Sequence, residues 1–368
     1  MKQTRSRSLS VAAVALTLLA SPLASAYAAS RPHTRDDLVA HAKAATRPRP
    51  LPVSGLPVGA DPAIPYAFAT KPEFGGGNWR LLRPDGTTLR LPDLTWGSWA
   101  PMGDGAIGMA GTEAGTELQQ VSATGRVRTK MLEHYGLVVS PDHEIVGWLG
   151  DHGTPHVVEG GGSRRFDLPN LPKARAIAAL WGAETCKEQL PEGGGCTVFA
   201  NGPRRVWVTD SHGIVDTAGP MLQVSDVNQS GRVIGLVSRR TAQQRACWGV
   251  FRATGHRVFR TCDYYLDSFS PDGRRVLAER SQVRWDSIRK VAVLDRDGQA
   301  LRTWTFHASR YRSLSQLTWE DSHHLLGVLQ SHGRWGLVRI GTDGSVQYAG
   351  APVDASDSEL SPYDLPRR

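Results

Sequence analysis

Beyond residue 64 the chain alternates apolar and polar positions in runs of a few residues, and the runs are separated by polar, glycine-bearing turns. A period of two puts successive side chains on opposite faces of an extended strand, whereas the 3.6-residue spacing of an amphipathic helix is missing from this region. The turns recur as Pro84-Asp85-Gly86, Ala123-Thr124-Gly125, the Gly160-Gly161-Gly162 run, Ser211-His212-Gly213, Ala253-Thr254-Gly255, Arg296-Asp297-Gly298 and Thr342-Asp343-Gly344. Gly86 and Gly344 lie 258 residues apart over six intervals, a mean spacing of 43. Such turns need positive φ, which glycine adopts at little cost, and they join adjacent antiparallel strands.

A second hairpin signal lies about 20 residues upstream of most of these turns. It reads VVSPDHEIVGW at 138–148, DVNQSGRVIGL at 226–236 and FSPDGRRVLAE at 269–279, with a looser copy, LTWEDSHHLLGVL, at 317–329. Two hairpins per period make a four-stranded meander, and periods of 40 to 50 residues with four strands each mark a β-propeller. The pattern therefore predicts an all-β fold: a seven-bladed β-propeller of four-stranded antiparallel blades, closed by N- and C-terminal strands. Six blades are continuous, at 100–130, 136–169, 173–218, 221–262, 265–306 and 314–349. The seventh is split. Residues 64–94 supply three strands without an inner one, and the tail at 353–363 is expected to supply it, hiding sheet edges that would otherwise pair with other chains.

FSPDGRRVLAE, with VVSPDHEIVGW as a second copy, resembles the repeat of TolB-like and WD-type β-propellers. The resemblance covers about three fifths of the chain at motif level and implies a propeller that serves as a binding scaffold. It does not imply TolB's partner, because residues 31–63 are too short for the α/β domain that precedes the TolB propeller. The Trp-Asp dipeptide of WD repeats is also absent from the expected strand ends.

The first residues read as an export signal. Lys2, Arg5 and Arg7 precede an apolar stretch at 11–20, Pro22 breaks it, and small residues follow at Ala24-Ser25-Ala26. No later segment approaches the roughly 18 apolar residues of a membrane span, and no cysteine near the cleavage region could carry a lipid. The expected organisation is a signal peptide at 1–26, a leader helix and Pro-rich linker at 27–63, and a propeller at 64–366. In the leader Thr34 would cap a short helix, and Pro48, Pro50, Pro52, Pro57, Pro62 and Pro65 would make an extended, loosely ordered spacer.

Loss of the signal's three cations takes the formal charge from +8 to +5. Of 43 basic residues only seven are Lys, and Arg offers planar, bidentate recognition of carboxylate or phosphate. The Arg pairs are scattered, as expected of a solvated surface. The expected partner is a protein or an anionic cell-surface polymer, with no nucleic acid, no membrane span and a monomeric chain. Four cysteines in an exported chain can pair in three ways. If Thr254-Gly255 is a hairpin turn, Cys247 and Cys262 face one another across it, which favours Cys247–Cys262 and Cys186–Cys196. No CxxC spacing suggests redox or zinc chemistry.

A meander alternates its turns between the two ends of a blade, so the short Asp-Gly turns share one end of the ring. The longer loops between second and third strands share the other end with the links between blades. We assign the binding surface to that second end and name Glu73, Phe74, His152, Glu184, Arg239, Arg280, Trp285 and Trp335 as its candidate residues. The Asp-Gly turns lack the spaced ligands of an EF-hand, and His152 with His156, or His323-His324 with His332, lacks a metal-binding spacing. No metal or cofactor is expected. No Gly-x-Ser-x-Gly elbow is present. The leading expectation is a secreted, non-catalytic binding module. Its alternative is a carbohydrate-active lyase or hydrolase using loop acids such as Glu73, Glu184 and Glu320, with His, in a central funnel.

Overall fold

The computed structural model describes residues 47–70, 78–92, 98–112, 115–132, 136–140, 145–159, 165–171, 173–182, 195–203, 205–211, 213, 215–239, 241, 245–252, 255–281, 288–309, 312–354 and 360–366. All belong to the unit Ala45–Arg368. They form seven antiparallel blades, written here from the inner strand outward. Blade 1 is Tyr363–Asp364, Tyr66–Ala69, Trp79–Leu82 and Thr88–Arg90. Blade 2 is Ser98–Met102, Gly105–Thr112, Gly115–Val121 and Val127–Leu132, and blade 3 is Leu137–Val139, Ile145–Leu149, Pro155–Glu159 and Arg165–Asp167. Blade 4 is Ala176–Gly182, Cys196–Asn201, Val206–Asp210 and Val215–Thr217. Blade 5 is Gln223–Val227, Val233–Ser238, Cys247–Phe251 and Arg257–Thr261. Blade 6 is Tyr265–Phe269, Arg275–Ser281, Ile288–Asp295 and Ala300–Thr305, and blade 7 is Arg312–Trp319, His324–Ser331, Arg334–Gly341 and Val346–Ala349.

The period-two alternation explains why these blades form a ring. Both faces of each sheet carry apolar side chains, and each face packs on the next blade in sequence. Ala67, Leu81 and Leu89 of blade 1 meet Trp99 and Val121 of blade 2. Equivalent clusters join blades 2 and 3, 3 and 4, 4 and 5, 5 and 6, and 6 and 7. The last, Leu326, Val328, Trp335 and Leu337 with Tyr363 and Leu365, joins blade 7 back to blade 1. The architecture is a seven-bladed β-propeller. Among its largest fully buried side chains are Trp99 and Trp319, so these tryptophans are packing between blades.

The turn glycines behave as their sequence demands. Gly86 and Gly344 have φ of 80° and 100°, and a Cβ at Gly86 would meet no atom within 4 Å; backbone conformation alone calls for glycine there. The tail closes the ring, through a shorter segment than the 353–363 expected. Tyr363 pairs with Phe68 and Asp364 with Ala67, whereas Val353 and Asp354 pair with Trp335 and Arg334 of blade 7.

The Pro-rich stretch expected as a loose spacer is instead held against two blades. Arg49–Pro50 runs parallel to Trp304 and Thr305 of blade 6, and Val58–Gly59 runs parallel to Tyr348 and Ala349 of blade 7. Proline is compatible with an edge strand, where no inward N–H is required of it. Between and beyond these strands the segment is pinned by side chains. Leu51 is buried in the core between blades 6 and 7. Glu320 and Arg339 form a buried ion pair. Glu320 Oε1 also accepts from the Ala63 amide at 2.6 Å, and Arg339 donates to the carbonyls of Ala60 and Asp61 at 3.1 and 3.0 Å.

Inner strands of blades 4 to 7 each carry a register shift, at Ile177/Ala179, Val224/Asp226, Leu266/Phe269 and Ser315/Thr318. A bulge withdraws backbone groups from the ladder, and neighbouring blades take them up. At the blade 6 shift, Ser225 Oγ donates to the Leu266 carbonyl at 3.0 Å and Asp226 accepts from the Phe269 amide at 2.6 Å. Trp319 Nε1 reaches the Ser268 carbonyl from the other side. Asn201 does the same for blade 5, bonding both the amide and the carbonyl of Val224. No helix among the described residues is long and apolar enough to cross a membrane.

Candidate functional site

The strand order fixes which residues share an end of the ring. Loops from first to second strands and from third to fourth strands lie at one end. Loops from second to third strands, and the links between blades, lie at the other. Arg239 follows the second strand of blade 5 and Arg280 is the penultimate residue of the second strand of blade 6, so both sit at the second end, exposed. His152 sits there too, in the Asp151–Gly153 turn of blade 3, with φ of 59°. Glu73, Phe74, Glu184, Trp285 and Cys186 lie outside the described residues.

Two expectations about this end need correction. Trp335 is not a loop residue. Blade 7 turns through His332 and Gly333 alone, with φ of 52° and 74°, and Trp335 is already paired with Gln330 in the ladder. Its ring is buried among Leu326, Val328, Leu337 and Tyr363, so it presents no binding surface. Glu184 was also expected at this end, whereas Gly182 and Cys196, the described strand-end residues on either side of it in sequence, are ladder partners where the first and second strands of blade 4 meet, at the end of the short Asp-Gly turns.

Cys247 and Cys262 are bridged, and their Cα atoms are 4.0 Å apart. The register expected around Thr254-Gly255 holds in the ladder, where Trp248 faces Thr261 and Gly249 faces Arg260, with a bulge nearer the turn. Cys196 is also in a disulfide.

The bridge stands at the second end of blade 5, and cations collect around it. Arg260 Nη2 is 3.0 Å from Cys247 Sγ, and Arg245 pairs with Asp263 at 3.3 Å. Arg239 reaches across to the Pro203 carbonyl of blade 4 at 3.2 Å. On blade 6 stand Arg280, Arg289 and Lys290, the last 4.8 Å from the centre of the Tyr264 ring. Arg239, Arg245, Arg260, Arg280 and Arg289 are all exposed. An aromatic surface lies among them: Tyr265 is 42% exposed and meets Trp248 edge-on at 4.6 Å. Glu279 is the ladder partner of Tyr265. Burial first, and the nearby Asp267 carboxylate second, hold its carboxyl well above the usual range.

Arg260, Tyr265 and Lys290 were not singled out from sequence. They are strand-end and blade-link residues, and their closeness in sequence to Cys247, Cys262 and Arg280 was the available signal.

Of the acids and histidines weighed from the sequence, Glu320 and His156 are otherwise engaged. The Glu320 carboxylate is consumed by Arg339 and the Ala63 amide. His156 lies between Trp148, at 5.6 Å between ring centres, and Asp167 Oδ1, at 2.6 Å from Nδ1. Burial pushes the His156 imidazole pKa down. Among the described residues no group of three or more His, Cys, Asp or Glu side chains could hold a metal ion.

No family model matches the chain, and no curated protein matches it. Solved structures do match. The crystal structure of BamB from Moraxella catarrhalis is 13% identical with a TM-score of 0.40, over 80% of this chain and 83% of that one. The crystal structure of a eukaryotic initiation factor is 13% identical with a TM-score of 0.40, over 83% and 89%. What makes the chain a β-propeller is its own strand order and its closed series of inter-blade cores.

Proposed function

We propose that this propeller is a secreted, non-catalytic binding module, and that it engages an anionic partner through the second-to-third-loop end of blades 5 and 6. The observation that carries this reading is the group of exposed arginines Arg239, Arg245, Arg260, Arg280 and Arg289 around the Cys247–Cys262 bridge. One sign of charge gathered on one surface raises the local concentration of an oppositely charged partner and speeds its capture. The bridge holds the ends of two strands together there, so less order has to be imposed on binding. Export is supported by the charged, apolar and small-residue order of residues 1–26 and by the disulfides, which persist in oxidising compartments. The TolB-like reading of the repeats supports the scaffold role.

The experiment is titration of the chain against an immobilised polyanion at two salt concentrations. Arg239→Glu combined with Arg280→Glu should weaken binding at low salt by at least about tenfold and flatten its salt dependence. Binding that ignores both changes overturns the assignment of this end.

One observation favours the alternative, a carbohydrate-active enzyme. Asp267 and Glu279 are neighbouring acids on the inner two strands of blade 6, and burial first, then the Asp267 carboxylate, raises the Glu279 carboxyl above its usual range, the direction a general acid requires. Loss of glycan cleavage in Glu279→Gln, with binding intact, would establish it.

A further inference from the structure

We infer that the Cys247–Cys262 bridge is a thiol-exchange site: the thiolate of a low-molecular-weight thiol attacks Cys262, and Cys247 departs as a thiolate held by Arg260. This chemistry needs no anionic partner. Two features of the bridge point to it, access to one sulfur and charge beside the other.

Exchange depends on which sulfur can be reached. Cys247 opens the third strand of blade 5 and keeps only 4% of its surface exposed. The second strand covers it on one side, with Ser238 as its ladder partner. Cys262 lies one residue past the end of the fourth strand, Arg257–Thr261, and is half-buried. That strand is the outermost of blade 5, and no further strand pairs with it among the described residues. A thiolate therefore reaches Cys262 from the open edge of the blade, whereas Cys247 is shielded. Asp263, the next residue, would repel an anion, but Arg245 pairs with it at 3.3 Å.

The departing sulfur is served by Arg260. Trp248 faces Thr261 and Gly249 faces Arg260, so Cys247, Cys262 and Arg260 share one face of the hairpin. Gly249 puts no side chain in the way. The Arg260 guanidinium, diagonal to Cys247, brings Nη2 to 3.0 Å from its Sγ. Burial alone would disfavour charge on Cys247, and the Arg245 carbonyl 3.7 Å from Sγ does not offset that. The adjacent guanidinium does, because a neighbouring cation lowers a thiol's pKa and a sulfur of lower pKa leaves faster. In the step a bond forms between the incoming sulfur and Cys262 Sγ, the bond between Cys262 and Cys247 breaks, and its electron pair goes to Cys247 Sγ. The incoming sulfur is oxidised and Cys247 is reduced, with no other reactant.

The test exposes the folded full chain to glutathione and, separately, to cysteamine. Iodoacetamide then traps free thiols, and peptide mapping locates the adducts. The mixed disulfide should sit on Cys262 and the alkyl group on Cys247, in about tenfold excess over the reverse. Arg260→Gln should slow exchange about threefold with both thiols, and Arg260→Lys, which keeps a cation, should restore most of the rate. Thermal melting before thiol is added shows that each variant is folded, and Arg260→Met takes the place of Arg260→Gln if that variant is not. Slowing of glutathione alone would mean that Arg260 attracts an anionic attacker instead of holding the leaving sulfur, and overturns the inference. So does a mixed disulfide mainly on Cys247, a rate indifferent to Arg260→Gln, or exchange that begins only once urea has unfolded the chain.

Discussion

Blades 7 and 1 are neighbours built to one plan from very different amounts of chain. Blade 7 has strands of 8, 8, 8 and 4 residues from one continuous stretch, and it gains a further edge strand from Val58–Gly59. Blade 1 has strands of 2, 4, 4 and 3 residues, and its inner strand arrives from the other end of the chain. Backbone hydrogen bonds cannot be what makes the two equivalent in the ring, because Tyr363–Asp364 offers only two residue pairs. Side chains make up the difference. The Tyr363 ring sits 5.2 Å from Phe68 and 6.2 Å from Tyr66 between centres, and burial pushes its phenol up to about 12. The Leu365 amide bonds Gln316 Oε1 of blade 7 at 3.0 Å, and the Ala69 amide bonds the Pro362 carbonyl at 2.8 Å. A short strand closes a ring when its anchors are buried on both flanks.

That comparison breaks most sharply at Tyr363. Tyr363→Ala empties the core shared by blades 7 and 1 and should destabilise the chain by about 3–5 kcal/mol, the range for truncating a buried aromatic. Urea unfolding measures it. A loss below about 1 kcal/mol would mean that the two-residue ladder holds the closure by itself, contrary to the argument from burial.

The strap on blade 7 gives the next largest effect. Glu320→Ala strands the Arg339 guanidinium in a largely buried site and unpairs the Ala63 amide. Breaking a buried ion pair costs about 3–5 kcal/mol. We expect about 3 kcal/mol, because Arg339 keeps its bonds to the Ala60 and Asp61 carbonyls. Hydrogen exchange locates the loss: the Tyr348 amide, bonded to the Pro57 carbonyl at 2.9 Å, should lose protection, while the Leu81 amide of blade 1 keeps its own. Equal loss in both blades would mean the strap supports the whole ring rather than one edge.

The sequence made blade 7 easy to read and half of blade 1 hard, for the same physical reason. Two largely apolar runs of eight residues at 324–331 and 334–341, joined by a two-residue turn, are visible in one stretch, so the blade could be read from local pattern. A two-residue strand has no alternation to show, and Tyr363 was found only as the far end of a tail that had to close something. The strap was missed because prolines at 48–62 argue for a linker, and nothing local reveals that an edge strand elsewhere will accept them. At the candidate site, Arg239 and Arg280 were legible as loop-end cations. Trp335 was misplaced because a two-residue turn through His332 carried the strand further than the polar residues implied. Tyr265 went unnoticed because exposure and its contact with Trp248 depend on how two blades meet, which sequence spacing does not encode.

The smallest effect concerns the turn that blade 7 has and blade 1 lacks. Both blades carry the same third-to-fourth-strand turn: Asp85 accepts from the Thr87 amide and hydroxyl at 2.9 and 2.7 Å, and Asp343 accepts from the Ser345 amide and hydroxyl at 2.9 and 2.7 Å. Only the continuous blade has an inner hairpin turn, where Asp321 accepts from the His323 and His324 amides at 2.6 and 2.9 Å and meets His324 Nδ1 at 2.8 Å. Burial alone would raise the Asp321 carboxyl, but the His324 side chain and the two amides outweigh it and hold its pKa below the ordinary value. A carboxylate depressed in the folded state stabilises the fold above its unfolded pKa of about 3.9, and that contribution disappears as pH falls through the folded value. Asp321→Asn keeps an acceptor for the amides and removes the charge. At pH 7 it should therefore cost less than about 1 kcal/mol, because half of the side chain is solvated and the field is screened. The difference from the unaltered chain in urea unfolding should shrink toward zero by about pH 2, below both values. A difference of constant size from pH 7 to pH 2 would assign the effect of Asp321 to turn geometry rather than to its charge, and the inner hairpin would then differ from the missing one in blade 1 by shape alone.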